Sequence, residues 1–395
     1  MSPVNAKGIL LKNICFSPQR GTTHSEKLAD CYKQFIESSA NDARFSVIKQ
    51  TIFISATSST EYDQNKEKII TYANLFFKVL PPTSVIAQLK QQGDLLLEIV
   101  YLEGLEEGEL VIKENNLGSW LVIEHKNSKA VVASGLCQHS TGGNILQQSI
   151  EAFEQLQAIL EEEKMDWSDI IRQWNYIEQI TANETNANGV SQHYQIFNDV
   201  RTKYYDQSEF EHGFPAATGI GTDFGGICID FIAARFNDNS KVIGIKNPVQ
   251  VDAYAYSKQV LAENNVMSDF CRTTPKFERA KALITPKGQW IFISGTAAIT
   301  GEASIENNTV DHQTELTIDN ILKLVSLENL NAHGVKEGRK VTIDYLRAYV
   351  KFPSDVARVM QLCRKHFPRI PIACVVADVC RPELLIEIEG LATIK

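Results

Sequence analysis

Ala377-Asp378-Val379-Cys380-Arg381-Pro382-Glu383-Leu384-Leu385-Ile386-Glu387-Ile388-Glu389-Gly390 is the stretch around which the chain reads. Successive side chains of a strand point to opposite faces, so Leu384, Ile386 and Ile388 share one face and Leu385, Glu387 and Glu389 the other. Cys380 and the turn-forming Arg381-Pro382 lie just upstream. The strand therefore aims a carboxylate away from its apolar face, a few residues after a thiol. Two readings follow: a half-buried strand with a wet outer face, or a strand whose Glu387 faces a pocket and moves a proton.

The bulk of the chain narrows the choice. Its 395 residues suffice for two domains or one large one. Hydrophobic residues at 44% and charged residues at 22% are ordinary globular values. A net charge of −9 points away from a nucleic-acid surface. No apolar run approaches a membrane span, and Met1-Ser2-Pro3-Val4-Asn5 opens no basic-then-apolar signal. A cytoplasmic protein with neither nucleic acid nor membrane as partner is expected. The eight cysteines include no Cys-x-x-Cys, and no His-Glu-x-x-His occurs. No metal site is expected, and the thiols read as buried or free.

Taken in order, the chain shows an internal echo. Ala130-Val131-Val132-Ala133-Ser134-Gly135-Leu136-Cys137 reads as a strand ending in Ser-Gly. A polar loop with Gly142-Gly143 follows, then a helix whose stripe is Leu146, Ile150, Phe153, Leu156 and Leu160. Trp290-Ile291-Phe292-Ile293-Ser294-Gly295-Thr296-Ala297 repeats the strand. After a loop with Gly301, a helix starting near Asp311 carries Ile318, Ile321, Leu322 and Val325. Two such units argue for two related α+β domains. Upstream, Ser46–Ser55, Leu95–Leu102 and Trp120–Glu124 read as strands, with helical patterns at Leu28–Phe35 and Ile69–Phe77 and a polar stretch at Thr57–Lys68. Thr181–Gly189 reads as a polar linker, and Phe214–Gly221 as a close-packed small-residue turn entering a strand at Ile227–Ala234.

One more strand, Tyr345–Lys351, sets Leu346, Ala348 and Val350 on one face and Tyr345, Arg347, Tyr349 and Lys351 on the other. Cations alternating with rings suit a flat anionic ligand. The same pattern fits an ordinary exposed strand face.

Ser294-Gly295-Thr296-Ala297, Gln313-Thr314, Asn320-Ile321 and Glu387-Ile388-Glu389-Gly390-Leu391-Ala392 together resemble the RidA (YjgF/UK114) superfamily of small α+β domains. More specifically, five segments resemble the chorismatase family: Tyr194–Arg201, Pro215–Gly221, Asn247–Tyr256, Pro275–Ala280 and Ala377–Arg381. The resemblance runs over roughly 170–395, is weaker over 130–180, and does not extend to 1–125. It implies two tandem RidA-like domains, each a mixed sheet packed against helices: a degenerate one over 1–175 and a catalytic one over 176–395.

Chorismatases cleave the enolpyruvyl ether of chorismate without a cofactor, releasing pyruvate. An enol ether is inert until its methylene carbon is protonated, which calls for a carboxyl of raised pKa in an apolar pocket. By the resemblance, Glu387 is that acid and Cys380, in the same pocket, is the second expected catalytic residue. Tyr194, Arg201, Gly295, Arg347, Tyr349 and Lys351 are the expected substrate-binding residues, the cations facing the two carboxylates of chorismate. Gly295 with Cys380 looks like the subtype that forms 3-hydroxybenzoate. Superfamily analogy suggests a homo-oligomer, a trimer. Two other functions stay open: a RidA-type imine or enamine deaminase, and a non-catalytic protein that binds aromatic acids. The deaminases hold their substrate with an arginine upstream of the glutamate. Ungapped counting puts Ile372 there, and Arg369 lies near.

Overall fold

The computed structural model describes residues 8–39, 45–88, 95–106, 108–115, 118–125, 128–138, 144–186, 189–257, 273–305, 309–336 and 340–395. Cys271 and the Gly142-Gly143 loop lie outside them. The chain is α+β, as expected, but its strands assemble into three principal sheets.

The first sheet has strands β1 (Leu10–Phe16), β2 (Phe45–Ser55), β3 (Thr83–Gln88) and β4 (Leu95–Glu103), in the order β1-β4-β2-β3. Helices α1 (His24–Ser39) and α2 (Ser59–Phe76) cover its outer face. The second sheet has β5 (Leu110–Asn115), β6 (Gly118–His125), β7 (Ser128–Gln138) and β8 (Ile170–Glu178). After the hairpin β9 (Asn183–Asn186) and β10 (Gly189–Gln192), it adds β11 (Ala216–Thr222) and β12 (Gly226–Phe236). Its order is β11-β8-β12-β7-β6-β5, under α3 (Ile145–Glu162) and α4 (His193–Tyr205). The third has β13 (Lys241–Ile245), β14 (Ala280–Thr285) and β15 (Gly288–Ala297). After the hairpin β16 (Ile299–Thr300) and β17 (Ala303–Ser304), it adds β18 (Val341–Val350), β19 (Ile372–Val376) and β20 (Ile386–Ile394). Its order is β13-β14-β15-β20-β18-β19, under α5 (Val310–Leu324), α6 (Leu327–Ala332) and α7 (Val356–His366).

The three sheets are one topology written three times. Each runs strand, helix, strand, helix, parallel strand, antiparallel central strand; the first lacks the leading hairpin that the others carry. The echo in the sequence captured the second and third copies. The first escaped because it has no Ser-Gly pair on its opening strand, β1. The expected boundary at 175/176 falls inside β8, whose ladder with β12 is continuous there.

Local chemistry explains the starts of three helices. Asn144 and Thr309 cap α3 and α5 by accepting from the amides of Gln147 and His312. Ser58 caps α2 by accepting from the Glu61 amide, and the polar stretch Thr57–Lys68 is helix from Ser59 onward. Thr309, not Asp311, is the N-cap of α5; Asp311 is the second residue of its first turn. Ala216–Thr222 is a strand: its small residues let it lie against β15, with the Ala217 amide donating to Ser294 Oγ at 3.0 Å.

Each sheet buries its outer face under its helices, and all three inner faces meet in a shared core that includes Phe53, Trp174, Trp290 and Tyr349. Charges thread this core in a ring. Lys49 of the first sheet pairs with Asp230 of the second at 2.9 Å. Arg172 of the second pairs with Glu389 of the third at 2.8 Å. Arg347 of the third closes the ring on Glu98 of the first, with its Nε donating at 2.8 Å. Buried ions demand such partners.

Candidate active site

Beside the seam of the second and third sheets, where β11 meets β15, lies a pocket of about 560 Å³, within the usual range for small-molecule sites. The β9–β10 hairpin, α4, β11, β15, the 380–384 turn and β20 all contribute to its wall.

Glu387 is at its base. In β15, Ser294 and Gly295 together oppose the single residue Glu389 of β20, because Ile293 pairs with Gly390 and Thr296 with Ile388. This β-bulge turns the Gly295 backbone towards the neighbouring acid. A Cβ on Gly295 would stand 1.9 Å from Glu387 Oε1, so only glycine leaves the carboxyl its place. Glu387 is 5% exposed, and among the described residues no donor is hydrogen-bonded to it. Burial, then the charge of Glu389, pushes its pKa up to about 8, against the pull of Arg172 and Arg279. A carboxyl that holds its proton at neutral pH can act as a general acid.

Cations stand around the same space. Arg201, from the buried side of α4, donates to Asn198 Oδ1 at 2.5 Å and has no partner at Nε among the described residues. Arg279 donates to Tyr256 Oη at 2.7 Å, and its Nε also lacks a partner among the described residues. Both guanidiniums are nearly fully buried, so donors left without acceptors in the pocket wall suit an anionic ligand. Arg381 donates to the Glu302 carbonyl and to Ser304 Oγ, and it stacks over Tyr256. The Tyr194 ring lies against β11, where a Cβ on Gly219 would meet it at 2.9 Å. Cys380 also lines the pocket; burial, then the neighbouring Glu387, pushes its thiol up to about 12, so it stays an uncharged S–H.

Five expected residues thus meet in one pocket: Tyr194, Arg201, Gly295, Cys380 and Glu387. Three do not line it. Arg347 is 1% exposed and consumed by Glu98, Glu389 and the hydroxyls of Tyr176 and Tyr349. Tyr349 is fully buried and accepts from Arg347. Lys351 is behind the Arg381-Pro382 turn, donating to the Pro382 carbonyl at 2.5 Å, with Asp378 at 3.8 Å. Alternation separated the faces of β18 correctly, but the polar face turns into the inter-sheet core instead of towards solvent or ligand. Arg279 was missed as a site residue. Its signal was its place in the Pro275–Ala280 motif, and only the fold brings that motif to the pocket. Among the described residues no group of three or more His, Cys, Asp or Glu is placed to hold a metal ion.

Residues 120–233 match the family model "Chorismatase FkbO/Hyg5-like, N-terminal". The chain is 35% identical over 236 residues to a 3-hydroxybenzoate synthase of Streptomyces hygroscopicus, covering 58% of this chain and 65% of that protein. It is 34% identical over 225 residues to a chorismatase of the same organism, covering 56% and 61%. The matched segments span less than two thirds of each relative. A solved chorismatase structure superposes on 97% of this chain and 99% of its own, with a TM-score of 0.67 and 22% identity, which shows a shared fold.

Proposed function

We propose that this chain, a relative of the chorismatases by sequence and fold, cleaves the enolpyruvyl ether of chorismate to pyruvate and a hydroxybenzoate. One observation carries the reading: a buried carboxyl with raised pKa, free of donors, at the base of a pocket that holds two arginines with unmet donors. In this reading Glu387 gives its proton to the methylene carbon, generating an oxocarbenium ion. Arg201 and Arg279 hold the two carboxylates of chorismate, with Arg381 nearby. Cys380 and Gly295 shape the floor under the ring.

Capture of the cation decides the product. Water attack gives a dihydroxydiene acid, taking up one water. Displacement by the ring hydroxyl, followed by ring opening and proton loss, gives an aromatic phenol acid with no net water consumed. The small, uncharged side of the pocket formed by Gly295 and Cys380 supports the second route, with 3-hydroxybenzoate as main product. Incubating the purified protein with chorismate while following pyruvate and resolving products by chromatography tests both levels. No pyruvate overturns the reaction, and diene diol or 4-hydroxybenzoate alone overturns the product assignment.

The deaminase alternative gains no arginine here: Ile372 is in the core under the helices of the third sheet, and Arg369 is exposed and outside the pocket lining. The seven described cysteines are free thiols, which supports the cytoplasm as compartment. Among the described residues no helix is long and apolar enough to cross a membrane.

A further inference from the structure

Glu389 follows Glu387 by two positions on β20, so the two carboxylates share a face. Their surroundings differ. Glu387 meets no donor, whereas Glu389 Oε1 accepts from Trp174 Nε1 at 2.9 Å and lies 3.1 Å from Arg347 Nη1. Its Oε2 accepts from Arg172 Nη2 at 2.8 Å. The same Arg172 nitrogen donates to Thr218 Oγ1 at 2.7 Å, and Thr218 Oγ1 accepts from the Gly295 amide at 3.0 Å. A continuous path therefore runs from Glu389 through Arg172 and Thr218 to the residue against which Glu387 lies.

We propose that Glu389 is a positioning residue for Glu387: fixed as an anion by Arg172, Arg347 and Trp174, it commits the pair's single proton to Glu387 and, through Arg172 and Thr218, holds the Gly295 backbone beneath it. The inference rests on the reading of Glu387 as the acid. Two carboxylates this close do not ionise together readily, and the one with cationic partners takes the charge. Burial would raise Glu389, but Arg347 and Arg172 overcome it and hold the group below the usual carboxylate range. The other groups facing Glu387 are Arg172 of β8, Arg279 ahead of β14, Tyr194 of α4 and Cys380 of the turn before β20. Of these, only Arg172 touches both Glu389 and the Gly295 support.

The test is the alkaline limb of kcat for pyruvate release, in parallel with a ¹³C NMR titration of the Glu387 carboxyl in the ligand-free protein, assigned by its loss in Glu387→Gln. Glu389→Gln removes an anion and leaves Arg172 unpaired; both effects favour ionised Glu387, so the limb and the resonance move to lower pH by about 1 unit or more. Arg172→Met moves both to higher pH. The double variant Glu389→Gln/Arg172→Met leaves no lone charge of this pair and returns both towards wild type. If Glu389→Gln fails to fold, the double variant must still titrate at lower pH than Arg172→Met. A merely structural role predicts loss of stability with no opposed displacement, and an unmoved Glu387 titration in these variants overturns the proposal. Displaced NMR titrations in a protein that releases no pyruvate would uphold the coupling and sink the reaction instead.

Discussion

The second and third sheets carry the same backbone device at the same place, yet only one builds a pocket. In β7, Ser134 and Gly135 together oppose Asp230 of β12; in β15, Ser294 and Gly295 together oppose Glu389 of β20. Each opposed acid is buried and paired with a cation from another sheet. Two residues before the acid, the second sheet has Cys228 and the third has Glu387. The covering differs as well. At Gly135 the backbone of β3 closes in, with Thr83 O only 2.7 Å from where a Cβ would stand. Tyr62 seals the same junction by donating to the Val85 carbonyl at 2.7 Å. At Gly295 the corresponding space holds the Glu387 carboxyl under an open pocket. A repeated scaffold thus becomes a site by one side-chain exchange and one missing cover.

Glu387→Gln breaks the comparison at its centre, because it leaves the third bulge with no more acid chemistry than the second. Pyruvate release should fall by about 10²–10⁴-fold with the circular dichroism spectrum unchanged. In the proposed mechanism Glu387 must be protonated to work, so wild-type kcat should be level below pH 8 and decline as pH rises through about 8. That limb should vanish from the residual rate of the variant.

Arg347→Ala tests the ring of charges rather than the pocket. It leaves Glu98 without its arginine and Glu389 with Arg172 alone, so denaturant unfolding should show a loss of about 3–5 kcal/mol. A raised KM at unchanged stability would put Arg347 back among the substrate-binding groups.

Arg201→Ala and Arg279→Ala should each weaken substrate use by about 2–5 kcal/mol in kcat/KM, expressed mainly in KM. Steady-state kinetics on chorismate reads this directly, and an unchanged KM in either variant removes that residue from the carboxylate-binding role.

The smallest effects sharpen the comparison most. Gly135 has φ +76° and Gly295 has no such strain, so alanine acts differently at the two bulges. Gly135→Ala should cost about 1–2 kcal/mol of stability, read as a lower Tm, with the pH limb in place. Gly295→Ala should leave Tm nearly unchanged but displace the Glu387 carboxyl, lowering kcat and altering the ratio of aromatic to diene product. Equal behaviour of the two alanines would show that the bulges do not differ in the way described.

Much of the site was legible in the chain because its pieces are short-range patterns. The alternation through Leu384–Glu389 put Glu387 and Glu389 on one face, and the Ser-Gly echo, read as strand ends, falls where the structure places both bulges. The motifs around Tyr194–Arg201 and Ala377–Arg381 pointed to groups that do meet in the pocket. Arg347, Tyr349 and Lys351 obeyed the same alternation and lie elsewhere, since periodicity says which residues share a face and nothing about what that face meets. Alternation gave Glu389 only the face it shares with Glu387; the structure shows it 3% exposed and bound to two arginines from two sheets.

The sequence by itself determined most of the α+β elements, the repeated Ser-Gly pairs, the face shared by Glu387 and Glu389 and the family likeness, because strand period, residue pairs and motif spacing act over a few residues. Only the tertiary structure decided that there are three copies, that their inner faces enclose a ring of buried charges, and that Arg279 reaches the pocket while Arg347 does not. Those outcomes depend on which sheet packs against which. Packing is settled by the mutual burial of surfaces far apart in the chain, and by the need of each buried ion for a partner that no local pattern supplies.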